Sequence, residues 1–186
     1  AVPSLTLSLQ ATGTEILWII DIYPLIMASL LVPMGTQGDR MGPRALLLVG
    51  LAIFLVASLA AAFSPTARIL IMSRALLAVG AAMIVPSVLA IIRITFEDWK
   101  ERAMALGIWG TVSTVAAAMG PLAGGLLLEH FWWGSVFLIN VPIILGILPL
   151  AAMLLPKPQV KMRGSWPIGQ ALTLAAGLMA TVYAVK

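Results

Sequence analysis

Gly35-Thr36-Gln37-Gly38-Asp39-Arg40-Met41-Gly42-Pro43-Arg44 separates two apolar runs, residues 16–34 and 45–63. Its glycines allow a tight reversal of the chain. Asp39 beside Arg40 and Arg44 makes a compact charge cluster at a helix end. Each flanking run approaches the ~20 residues that a helix needs to cross about 30 Å of hydrocarbon. A short charged turn between two such runs reads as the connection of two membrane-spanning helices.

Four more runs have comparable length: residues 67–92, 103–128, 135–155 and 168–184. The expectation is an all-α polytopic membrane protein with six crossings. Strand-length alternation of apolar and polar residues is missing, which excludes a closed barrel. Composition agrees. Hydrophobic residues form 61% of the 186, charged residues 10%, and mean hydropathy is +1.08. Soluble domains carry about 45–50% apolar and about 25% charged residues. A soluble fold with so few charges would expose large apolar patches, so the lipid bilayer is the partner that the composition demands.

The net charge of +4 does not signal nucleic acid, because the basic residues sit in short clusters between apolar runs and not in a stripe with interleaved aromatics. Loop 35–44 holds Arg40 and Arg44. Loop 93–102 holds Arg93, Lys100 and Arg102, and loop 156–167 holds Lys157, Lys161 and Arg163. These are eight of the eleven basic residues. Loops 64–66 and 129–134 hold none, with Arg68 at the edge of the first. The positive-inside rule makes the three basic loops cytoplasmic and the N-terminal residues external. Polytopic proteins of the inner membrane typically begin inside, so the expectation is a fragment that lacks a preceding helix and ends abruptly at Lys186. With no cysteine and a single histidine, His130, no thiol or histidine metal cluster is available. Glu129 and His130 read as loop residues.

The spacing in 35–44 resembles the signature loop between the second and third helices of the major facilitator superfamily. In that family, the aspartate and arginines form a cytoplasmic relay that latches one alternating-access state. The resemblance therefore implies a latch role for Gly35, Gly38, Asp39, Arg40, Gly42 and Arg44. Further along, Arg74-Ala-Leu-Leu-Ala-Val-Gly80-Ala-Ala is similar to the family's fourth-helix motif, whose arginine is implicated in proton transfer. Ala78 stands where a first glycine is usual. Small residues at Ala116, Gly120, Gly124 and Gly125 form a smooth stripe that admits a close helix, and Pro121 bends the segment. Gly120-Pro121-x-x-Gly124-Gly125 resembles the antiporter motif of drug:proton exporters. Trp18-Ile-Ile-Asp21-Ile-Tyr23-Pro24-Leu25 and Phe137-Leu-Ile-Asn140-Val-Pro142 resemble helices of the fourteen-helix drug:proton antiporters. The family usually has Trp-Arg-Trp before that phenylalanine. Trp133-Gly134-Ser135 stands here instead, and with Leu128-Glu129-His130-Phe131 ahead of it this variant resembles the methyl viologen and quaternary-ammonium exporter branch.

Two charges lie within apolar runs. Arg74 is about 10 Å from the outer end of its run at 1.5 Å per residue, a position that costs roughly 3 kcal/mol on insertion scales. Asp21 lies at comparable depth. A buried carboxylate beside a hydrophobic cavity can attract a lipophilic cation or hold an exchangeable proton. An opposite-charge pair of Asp21 and Arg74 would share the desolvation cost. The ten methionines suit a polyspecific cavity, though most serve as lipid-facing filler.

The resemblance implies helices two to seven of fourteen, in the bacterial inner membrane. Residues 1–155 would form an N-terminal bundle without its first helix. Residues 156–167 would be a cytoplasmic linker, and 168–186 the first of the extra central helices. Lipophilic cations would move outward against inward protons, with the proton gradient as energy source, no cofactor, and the remaining helices of the transporter as partners. No nucleophile–base pair, metal cluster or phosphate-cradling loop suggests an enzyme. An uptake symporter and a non-transporting membrane scaffold are the competing classes. The Gly120-Pro121 motif speaks against the first and the Asp39 loop against the second.

Overall fold

The structure, a computed structural model, describes residues 9 and 11–155 together with Thr173 and Gly177. Linker 156–167 and most of the sixth expected crossing, 168–184, lie outside the described residues. Those described are helical, without a strand. The elements are α1 (Gly13–Met41), α2 (Pro43–Ala62), α3 (Ala67–Thr95), α4 (Trp99–His130), the single turn α5 (Ser135–Leu138) and α6 (Asn140–Leu154). Taking Ser135–Leu154 as one span, five segments are long and apolar enough to cross a membrane.

Local chemistry sets the helix starts. Thr12 caps α1: its backbone N–H donates to Glu15 Oε2 at 3.0 Å, and its hydroxyl accepts from the Glu15 N–H at 3.4 Å. This reciprocal box satisfies two otherwise orphaned donors. The Thr-x-x-Glu spacing that announces it is visible in the sequence, and α1 accordingly begins three residues before the apolar run. Thr66 caps α3 by accepting from the Ile69 N–H, and Asp98 caps α4 by accepting from the Lys100 N–H. The Asp98 cap draws residues 99–102 into helix, and α4 continues through Glu129 and His130. Those two residues, expected in a loop, form its last turn, with His130 Nδ1 3.1 Å from the Leu126 carbonyl oxygen.

The largest departure concerns loop 35–44. Helix α1 continues to Met41, and the reversal falls on Gly42 alone, whose φ is +86°. That value is the left-handed region open to glycine, and Pro43 then starts α2 at a position where no N–H is needed. Gly35 and Gly38 do not turn the chain. A Cβ on Gly35 would sit 3.8 Å from Pro86 Cβ of α3, and one on Gly38 would sit 3.3 Å from Leu46 Cδ2 of α2. Both glycines keep the end of α1 close to its neighbours, and packing carries the helix past residues of low helix propensity.

Helix α3 is the centre of the bundle, with α1 and α2 packed along it and α6 against α2. Two apolar clusters stack along the axis. One joins Ile19, Ala57, Ala61, Ala67, Leu70 and Leu77, with Tyr23, Trp133 and Phe137 against it. The other joins Leu47, Leu51 and Ile144, with Ile84, Val88 and Leu148 around them. Phe54 touches both. Helices α2 and α3 meet at glycines. A Cβ on Gly80 would come 2.9 Å from the Gly50 carbonyl oxygen and 3.0 Å from Phe54 Cβ, and one on Gly50 would come 2.9 Å from Met83 Cβ. Such contact of backbones is how helices associate in lipid, where tails compete for every apolar side chain. Gly80 and the fully buried Ala78 keep the approach close despite the missing first glycine of the motif. Small serines serve the same packing, Ser73 and Ser87 returning their hydroxyls to the carbonyls of Ile69 and Met83.

Candidate functional site

The expected charge pair does not form. Arg74, on α3, has its guanidinium carbon 5.9 Å from the Tyr23 ring centroid and 6.0 Å from the Phe137 ring centroid. Its Nε is buried without a hydrogen-bond partner. Glu15 instead pairs with Arg68, 3.9 Å away on the outside of the bundle. Helix phase explains the difference. Residues two apart on a helix point about 200° apart, so when Tyr23 turns to α3, Asp21 turns away from it. Asp21 is partly exposed and has an interaction of its own. Similar depth along two helices does not make two residues neighbours.

Phe137 reaches Arg74 because the chain turns sharply ahead of α5. At Gly134 a side chain has no room, since a Cβ there would collide with the Ala62 carbonyl oxygen and Trp132 Nε1. The glycine in Trp133-Gly134-Ser135 therefore has a structural cause. The backbone passes directly over the end of α2, and Phe137 follows within one turn. Trp132 stacks tilted against Phe63 at 6.2 Å and fixes the same corner.

At the other end of the bundle, the signature residues divide by task. Asp39 is exposed on the last turn of α1, and Arg40 is partly buried with a partner of its own. Arg44 does not close on Asp39. Its Nη2 donates to the Ala152 carbonyl oxygen, 2.5 Å away at the C-terminal end of α6, while its Nε is buried without a partner. A cation at a helix C-terminus meets orphan carbonyls and the negative end of the dipole. The compact cluster expected from sequence is thus opened: Arg44 ties α2 to α6, and Asp39 points outward. That link was not legible, because nothing in the sequence pairs residue 44 with residue 152.

The Gly120-Pro121-x-x-Gly124-Gly125 stripe lies on α4, none of whose residues is buried. Nothing comes within 4 Å of a Cβ placed on Gly120, Gly124 or Gly125. Helix α4 touches mainly the neighbours to which it is joined, α3 and α5. Among the described residues no group of three or more His, Asp or Glu is gathered to hold a metal.

Long apolar helices packed around α3, with a tight turn at Gly42 and an arginine held against two rings inside, have the build of a multi-pass membrane protein. The chain belongs to the Major Facilitator Superfamily, whose profile it matches over residues 1–184. It is 53% identical over all 186 residues to the methyl viologen resistance protein SmvA of Salmonella typhimurium. It is 44% identical over 187 aligned positions to the multidrug efflux pump LfrA of Mycolicibacterium smegmatis. A methylenomycin A resistance protein of Streptomyces coelicolor is 40% identical over 136 residues, 73% of this chain. The chain spans 38%, 37% and 29% of those three relatives. These are transporters of bacterial membranes, and the family points to transport and not to an enzyme.

Proposed function

We propose that the transporter containing this chain exports hydrophobic cations across the bacterial inner membrane in exchange for protons, by alternating access. The observation that carries this reading is the 53% identity, across the whole chain, to a methyl viologen resistance protein. Methyl viologen is a flat dication, and a cavity that accepts it suits quaternary ammonium compounds also. The Gly120-Pro121-x-x-Gly124-Gly125 run agrees with export, and the long apolar helices agree with a route within the bilayer. In this reading Asp39 and Arg40, with Gly35, Gly38, Gly42 and Arg44 shaping their corner, govern switching between access states. Asp21 attracts the cation, and Arg74 tunes proton release. The remaining helices complete the cavity.

The complete transporter in proteoliposomes, loaded with methyl viologen, should move it against its gradient when a proton gradient is imposed, and stop when a protonophore collapses that gradient. Movement indifferent to the proton gradient overturns the coupling. Asp39→Asn should abolish efflux while substrate binding stays near wild type, because the residue lies at a helix end remote from any midplane cavity. Equal loss of binding and transport would assign Asp39 to the cavity instead.

A further inference from the structure

We propose that Tyr23 and Phe137 are positioning residues that hold the Arg74 guanidinium between their rings, so that its charge stays inside the bundle during transport. This rests on the export reading above. A guanidinium among apolar residues has three ways to lower its cost: a carboxylate, the water outside, or aromatic faces. The first is not taken, as Asp21 turns to another side of α1. The second is within reach of a long side chain, since Arg74 starts only about 10 Å from the end of α3. The third is what the structure shows, with two ring centroids at 5.9 and 6.0 Å.

The rings come from different elements. Tyr23 stands in the middle of α1, and Phe137 on the turn that Gly134 forces over α2. Removing either one leaves the side chain free to swing toward the outer surface. Aromatic faces attract a cation without cancelling its charge, whereas a carboxylate would neutralise it. The charge therefore remains able to act on a proton-carrying group, and the unpartnered Nε remains able to donate to it.

Among the described residues the titratable surroundings are few. From α1 Tyr23 faces Arg74; Glu15 is paired with Arg68, Asp21 turns away, and Asp39 and Arg40 lie at the far end. Helix α2 carries only Arg44, tied to α6, while α5 and α6 carry no titratable side chain. On α3 itself Arg68 and Arg93 stand at the two ends, and the charges of α4 lie in its first and last turns.

The test uses the complete transporter and the pH profile of methyl viologen efflux. Loss of a positive charge lets a carboxylate close to it, supplied in the complete transporter by the remaining helices, keep its proton to higher pH, so Arg74→Ala should move the pH optimum upward by on the order of one unit. Tyr23→Leu and Phe137→Leu should each move it the same way by about half a unit, the size that one ring contact can supply. The ring-keeping Tyr23→Phe and Phe137→Tyr should leave it in place. In the Arg74→Ala background, ring loss should add no further shift. Equal effects of ring loss with and without Arg74, or an unmoved optimum, would reduce both rings to ordinary packing. Wild-type protein without gradient-driven efflux would sink the export reading separately. The positioning claim is then judged by 15N-arginine NMR in nanodiscs, with the Arg74 Nε signal identified by its loss in Arg74→Lys. That signal should shift in Tyr23→Leu and Phe137→Leu, and an unmoved signal overturns the proposal.

Discussion

Helices α3 and α4 are both long and apolar, and each carries a run of small residues, Ala78, Gly80, Ala81 and Ala82 on one and Gly120, Gly124 and Gly125 on the other, yet they stand in opposite situations. On α3, Gly80 sits against the Gly50 carbonyl with no space for a methyl group. On α4, Gly120, Gly124 and Gly125 face open space, and no residue of the helix is buried. The same compositional cue marks a contact already made in one helix and a surface left smooth in the other. A run of small residues states that a backbone can be approached closely. It does not state by what.

Enlarging one glycine on each helix should separate the two situations most sharply. Gly80→Leu should cost about 3 kcal/mol through overpacking against α2, seen as a large drop in melting temperature or as failure to accumulate. Gly124→Leu in this 186-residue chain should melt like the parent. A comparable drop for Gly124→Leu would show that α4 is packed after all. In the complete transporter, Gly124→Leu should instead reduce efflux several-fold at normal abundance, if the smooth face serves moving helices.

A smaller effect sharpens the contrast within the signature residues. Arg44→Gln removes the charged donor at the end of α6 and should cost about 1–2 kcal/mol. Asp39→Asn, on an exposed turn, should change stability by no more than about 0.5 kcal/mol. Paired melting curves in detergent would decide this, and equal losses would mean that Asp39 and Arg44 share a structural network. The smallest effect is expected at the outer ion pair. Arg68 is 89% exposed and 3.9 Å from Glu15, so Arg68→Gln should leave the melting curve unmoved in buffers of any ordinary salt concentration.

Much of the molecule could be read before its structure. Runs of about 20 apolar residues, the charged stretch at 35–44 and the Gly-Pro-x-x-Gly-Gly pattern pointed to the membrane, to helices and to the family that the profile match bears out. Helix ends were less legible where capping or packing competed with composition. Glycines and a threonine made 35–41 look like loop, but contacts with Pro86 and Leu46 keep it helical. Glu129 and His130 looked like loop for their charge, yet the end of a span tolerates polar residues that can reach the interface.

Composition and length alone fixed which described segments are long and apolar enough to cross a bilayer and how far along them each charge lies, because the span of a helix follows from its own residue count at 1.5 Å per residue. Which residues meet was set by packing between helices. Arg74 lies against Tyr23 and Phe137 and not beside Asp21, and Arg44 reaches Ala152 and not Asp39. Those outcomes depend on the rotation of each helix about its axis and on where backbones touch, at Gly50 and Gly80, and both are set by the neighbour and not by the segment itself.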